Sequence, residues 1–379
     1  MRAGLEPATF CQPFIVKDLE RIVVYRRRLT LALLLLTIAA LALPGSPARA
    51  AGPTRAECLA SPTMPGCMAG LPTVEYQMLL DEMLLHPEPD VRPLAVNQKE
   101  INRFAFRKIV GGAATIYNRP NGEPIGTIDE GFNYVTVNRV EGDWVEINDG
   151  EWMPNSQLAH ARPSTFAGVY LDGELAYPMA WVLVPSHPSP VPGAAGDTSR
   201  PKIERYTRVN IFATAEVNGW EWYLIGPDAW IQQTMVARVV LVERPPRVKG
   251  RWFAVDLYEQ VLVAYEDDTP VFATLISSGL PQWPTREGTF TVWARQVNGH
   301  MSGAEGQADF YSLENVPYVM YFDQAISLHG TYWHDGFGYR HSHGCVNMSI
   351  TDAHWAFDWS LDGGYSAPYV HVFSSGQYR

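Results

Sequence analysis

Cysteine is scarce in this chain, four in 379 residues, and no two stand as Cys-x-x-Cys. No His-x-x-x-His occurs either, so these two zinc-site spacings are absent. Charge is also sparse: 18% of residues are Asp, Glu, Lys or Arg against 46% apolar. That balance excludes a disordered chain and fits a globular one, long enough for two or three domains. Long apolar runs are missing but for Leu29 to Leu43, 15 residues, short of the roughly 20 that span a bilayer.

That run follows the basic cluster Arg26-Arg27-Arg28, is broken by Pro44-Gly45, and precedes the small-x-small site Ala48-Arg49-Ala50. This is the pattern of an export signal, so residues 1–50 are expected to be a signal peptide, or a membrane anchor if uncleaved. The first 50 residues hold seven Lys/Arg and three Asp/Glu, so the remainder carries 22 against 37, a net of −15. Such a surface repels phosphate backbones, and no basic tract interrupts it, which sets nucleic acid aside as a partner. The expected location is extracytoplasmic, in the periplasm or cell wall.

Export gives the cysteines a context. Cys11 precedes the signal, whereas Cys58 and Cys67 lie nine apart in a segment rich in Pro and Gly. In an oxidising compartment they read as a local disulfide, with two free thiols as the alternative. Cys345 is then left over, either reactive or deeply buried.

Residues 51–106 read as a linker with one short helix, where Thr73 to Leu84 sets apolar residues at helical spacing before Pro87 and Pro89. From there the period is that of short strands and tight turns, and 12 Trp and 18 Tyr suit pleated surfaces. The segment Trp144 to Trp152 recurs loosely as Trp222 to Trp230; an offset of 78 also superposes Ile147 on Ile225 and Ala159 on Ala237. Two small β-barrels are expected, at 107–165 and 166–246. Their order of tryptophan, strand, turn and tryptophan resembles bacterial SH3-like domains, which implies cell-wall binding or spacing. Beyond Arg244-Pro245-Pro246-Arg247, residues 248–376 form a last domain. Phe253, Val255 and Leu257 share one strand face, and Ile350, Ala353, Phe357 and Leu361 share one helix face behind a Ser349/Asp352 capping box. The expected fold is mainly β with one or two short helices.

The chemistry concentrates in His329-Gly330 and Ser342-His343-Gly344-Cys345-Val346-Asn347. A thiol with its usual pKa near 8.5 is mostly protonated at neutral pH, and a neighbouring imidazole that removes the proton makes it a nucleophile. Four histidines, 329, 334, 341 and 343, precede Cys345 within 16 residues, and composition does not say which is the base. Gly344 allows a sharp turn in which its amide and that of Cys345 converge on an oxyanion. A zinc centre is the competing reading, but His341-x-His343-x-Cys345 lacks a clear fourth ligand.

These motifs resemble the catalytic signature of L,D-transpeptidases (the YkuD-type fold). Ser277-Ser278-Gly279, Pro284-Thr285 and Gly288-Thr289-Phe290 follow in the family's order, over about residues 250–375. The resemblance implies a β-sandwich with one or two short helices and no cofactor. It implies Cys345 as nucleophile, His329 as proton donor and acceptor with Gly330 orienting its ring, and His343 and Gly344 shaping the oxyanion pocket. Ser342 and Asn347 match flanking positions, Asn347 standing where many relatives carry Arg. Trp333 and Tyr321 are taken as substrate-binding, and Tyr332, Trp333 and Phe337 as an aromatic lid over the thioester. His334 and His341 match no motif position and are expected at the surface or lid. The implied reaction is 3→3 cross-linking of peptidoglycan stem peptides through a cysteinyl thioester. An L,D-carboxypeptidase, a protein-attaching transpeptidase and, from another class, a non-catalytic wall-binding protein are its rivals.

Overall fold

The computed structural model describes residues 52–361 and 367–377; the export segment and Cys11 lie outside the described residues. Among the described residues no helix is long and apolar enough to cross a membrane.

The fold is mainly β, and its core is a sandwich of two seven-stranded sheets. One sheet runs Gly288–Thr291, Tyr369–Phe373, Arg251–Asp256, Val261–Glu266 and Thr269–Leu275, with short edge strands Val169–Tyr170 and Arg92–Pro93. The period of two explains why every residue of Arg251–Asp256 is buried. Phe253 and Val255 face the core between the sheets, with Leu262, Val319 and Leu328. Trp252 and Ala254 face a second core, shared with Phe166 and Trp181 from the preceding segment. The helix Ile350–Leu361 lies against the first core through Ile350, Ala353 and Phe357. Leu361 is exposed instead, so the apolar stripe ends one turn before the sequence pattern suggests. Its capping box is half made: Ser349 Oγ accepts from Asp352 N at 3.1 Å. The Asp352 carboxylate instead accepts from Gly168 N and Thr274 Oγ1, tying the upstream chain to the first sheet.

Upstream, the repeat at an offset of 78 is present in the backbone. Glu151–Pro154, a 3-10 turn Asn155–Gln157 and Leu158–His160 recur as Ala229–Gln232, Gln233–Met235 and Val236–Arg238. Trp152 and Trp230 are buried in both copies, as are Ile147 and Ile225. Around the first copy, three strands, Ala105–Ile109, Phe132–Val137 and Leu158–His160, lie in the second sheet of the sandwich. There Phe132–Val137 pairs in parallel with Tyr311–Asp323.

The segment expected to be a linker is also packed down. Cys58 and Cys67 form the disulfide, and the helix Thr73–Leu85 buries Tyr76 and Met83 beside Trp230. Trp230 Nε1 donates to Ala69 O at 2.9 Å, and Tyr76 Oη donates to Asp228 at 2.8 Å.

Candidate active site

Two neighbouring parallel strands, Ile326–Gly330 and Val346–Met348, place the reactive residues, with His329 paired opposite Asn347. Alternation puts Ser327 and His329 on the same face as Cys345 and Asn347. The thiol of Cys345 is free and partly exposed, with Ser327 Oγ at 3.6 Å and Ala325 O at 3.8 Å. His329 is buried, and its Nδ1 lies 3.0 Å from Gly330 O. A carbonyl can only accept, so Nδ1 carries the proton and Nε2 presents a lone pair. Burial pushes this imidazole down to about 4 and pushes the Cys345 thiol up, although Ser327 opposes the latter. Both groups therefore rest neutral at pH 7.

The turn before Cys345 is closed by its own polar groups. Gly344 sits at φ +114°, a region side chains avoid, and its carbonyl accepts from Thr285 Oγ1 at 2.7 Å. Ser342 Oγ donates to Cys345 O and accepts from Gly344 N at 3.1 Å. The Gly344 amide, expected as an oxyanion donor, is thus engaged by Ser342 Oγ. His343 stands at the rim, 3.9 Å from the Trp283 ring and 5.1 Å from that of Tyr311.

These residues open into a cavity of about 280 Å³. Its lining includes the polar Cys345, His329, Asn347 and Ser342 and the apolar or aromatic Phe132, Met301, Tyr311 and Leu313. His334 and His341 belong to the wall too, stacked at 4.5 Å, so His334 is not a surface residue. Burial pushes His334 down to about 3, which keeps it neutral. Gly336 N donates to its Nδ1 at 3.0 Å, and the side-chain amide of Asn347 lies 2.9 Å from its Nε2 through Nδ2.

The aromatic lid is smaller than the motif suggests. Trp333 lines the cavity, but Tyr332 and Phe337 are fully buried. Tyr332 stacks on Phe106 at 3.7 Å, and Phe337 packs with Phe166. Tyr321 packs against Trp293 within electrostatic reach of Cys345, and Tyr311 lines the cavity. Among the described residues no group of three His, Cys, Asp or Glu side chains is arranged to hold a metal ion.

Sequence reasoning missed the clamp on the loop that carries Trp333 and His334. Asp335 accepts from Ser164 Oγ and Tyr206 Oη, and Arg205 donates to Asp335 O at 2.8 Å and Phe337 O at 3.2 Å. Asp335→Ala is expected to lower stability by about 1–2 kcal/mol and to slow acylation of Cys345 severalfold. Thermal melting and adduct kinetics measure both; an unchanged melting curve would mean the backbone bonds alone hold the loop.

Residues 250–369 match the L,D-transpeptidase catalytic domain family (YkuD). They are an L,D-transpeptidase catalytic domain. Of its motif residues, Ser342, His343, Cys345 and Asn347 line the cavity, Gly344 lies in the turn beside it, and Val346 is buried in the core. Similar solved structures include an L,D-transpeptidase from Stackebrandtia nassauensis, 25% identical, covering 35% of this chain and 58% of that one, TM-score 0.27. The catalytic domain of the E. faecium L,D-transpeptidase is 28% identical over 34% of this chain and 99% of that domain, TM-score 0.29. An L,D-transpeptidase from Mycobacterium smegmatis is 17% identical over 56% and 92%, TM-score 0.30. A search of curated proteins found no match.

Proposed function

We propose that this protein is an exported L,D-transpeptidase that forms 3→3 cross-links between peptidoglycan stem peptides. The observation that supports it is Cys345 and His329 on one face of adjacent strands, open to one cavity, with the imidazole lone pair held free by Gly330. In the proposed reaction the Cys345 sulfur attacks the carbonyl at the L-centre of the third stem residue while His329 Nε2 takes the thiol proton. The tetrahedral oxygen is held by the Cys345 amide. Collapse breaks the peptide bond, His329 returns the proton to the leaving D-Ala amine, and a thioester remains. The side-chain amine of a second stem then attacks, gives up its proton to His329, and releases the thiol.

A thioester in such a site must be kept from water for an amine to win. Trp333 is placed to do this, its ring 5.7 Å from that of His329. The disulfide fits an extracytoplasmic location, and the two repeated upstream segments are proposed as SH3-like modules that hold the enzyme at the wall. Incubation with purified muropeptides followed by mass spectrometry tests the reading. A thioester adduct on Cys345 and a 3→3 dimer are expected; an adduct yielding only tripeptide would make water the acceptor, and no adduct would sink the enzyme reading.

A further inference from the structure

The active-site cavity is not built by the catalytic domain alone. Phe132, which lines it, belongs to the upstream strand Phe132–Val137, outside the matched residues 250–369. That strand runs parallel to Tyr311–Asp323, with Phe132 opposite Tyr311 and Tyr134 opposite Leu313. Phe132 N donates to Phe310 O at 2.8 Å. Further along, Thr136 N donates to Glu314 Oε2 at 2.9 Å, and Tyr134 packs edge-on to Tyr332 at 5.6 Å. The strand is thus locked in register, and Phe132 is held where it stands.

Yet Phe132 keeps 40% of its surface open. Ligand pockets set apolar surface beside a few polar groups, and Phe132 supplies such surface in the lining it shares with Cys345 and His329. Lys108 Nζ lies 5.4 Å over the Phe132 ring, a cation–π contact that restrains its orientation. Met301 and Leu313, from the two arms of the catalytic hairpin, share that lining.

A peptide whose carbonyl meets Cys345 sets the side chain of the attacked residue in this cavity, whose lining includes Phe132, Met301 and Leu313. We infer that the upstream segment is part of the acyl-donor site, and that Phe132 selects donors whose attacked residue carries a long aliphatic side chain. This rests on the acyl-transfer reading above and adds a specificity residue to it. It also gives the upstream segment a role in the reaction beyond any attachment to the wall.

The test uses the full-length protein and two tetrapeptide donors that differ only at the attacked residue, lysine in one and alanine in the other. Acylation of Cys345 is followed by intact mass, with iodoacetamide alkylation as a donor-independent check on the thiol. The wild-type protein is expected to prefer the lysine donor by about tenfold or more. Phe132→Ala should slow that donor about tenfold, leave the alanine donor and alkylation within about twofold, and be largely rescued in Phe132→Leu. Rates unchanged by Phe132→Ala, or equal losses on both donors, would overturn the inference while leaving the acyl-transfer reading standing. If neither donor acylates the wild-type protein, that reading fails and this one with it.

Discussion

Cys345→Ala is expected to leave no covalent adduct with any donor, down from complete labelling of the wild-type protein. The reason is chemical: the thioester needs this sulfur, and Cys345 is the free cysteine among the described residues. Folding should survive, because the sulfur's contacts are a hydroxyl at 3.6 Å and a carbonyl at 3.8 Å, both weak partners. Its loss removes one small half-exposed side chain, at a cost of about 1 kcal/mol or less. Intact mass after incubation with a tetrapeptide, alongside a melting curve, measures both. A persisting adduct would move the nucleophile elsewhere and dismantle the mechanism.

His329→Ala should slow acylation by about a thousandfold, the usual scale for losing a positioned general base. The same change at His341, exposed and stacked on His334, should cost little by comparison. Equal losses would mean that the wall histidines act together and that His329 is not the base. The wild-type pH profile offers a second check on the same group. His329 accepts a proton only when neutral, and burial sets its pKa at about 4 rather than the usual 6.5. Activity should therefore fall on the acid side only as pH drops through about 4, and stay level from about 5 to 8. The thiol, raised by burial, puts no inflection of its own in that range. An acid limb centred near 6.5 would mean the imidazole titrates as if in water, against its burial in the sheet.

Much of the catalytic domain was legible because its signals are local. Phe253 and Val255 on one strand face, the helix over Ile350–Leu361 and the disulfide between residues nine apart all follow from short-range spacing. The repeat at an offset of 78 was equally open to view, since the same side-chain pattern recurs in the chain. What the motif could not convey was how many of its neighbours serve packing. Tyr332 and Phe337 look like lid residues beside Trp333, but each has an aromatic partner from far upstream, Phe106 and Phe166, that pulls it into the core.

The chain's own order set Cys345, His329 and Gly330 in compact motifs, and the resemblance those motifs carry is what implied a nucleophile, its base and the carbonyl that orients it. Tertiary structure alone decided the walls of the cavity. Phe132 reaches it through parallel pairing with a strand distant in sequence, and Asp335 is held by Ser164 and Tyr206. Contacts of that kind arise when separate segments share one sheet and one core, and no local periodicity encodes which two strands will meet.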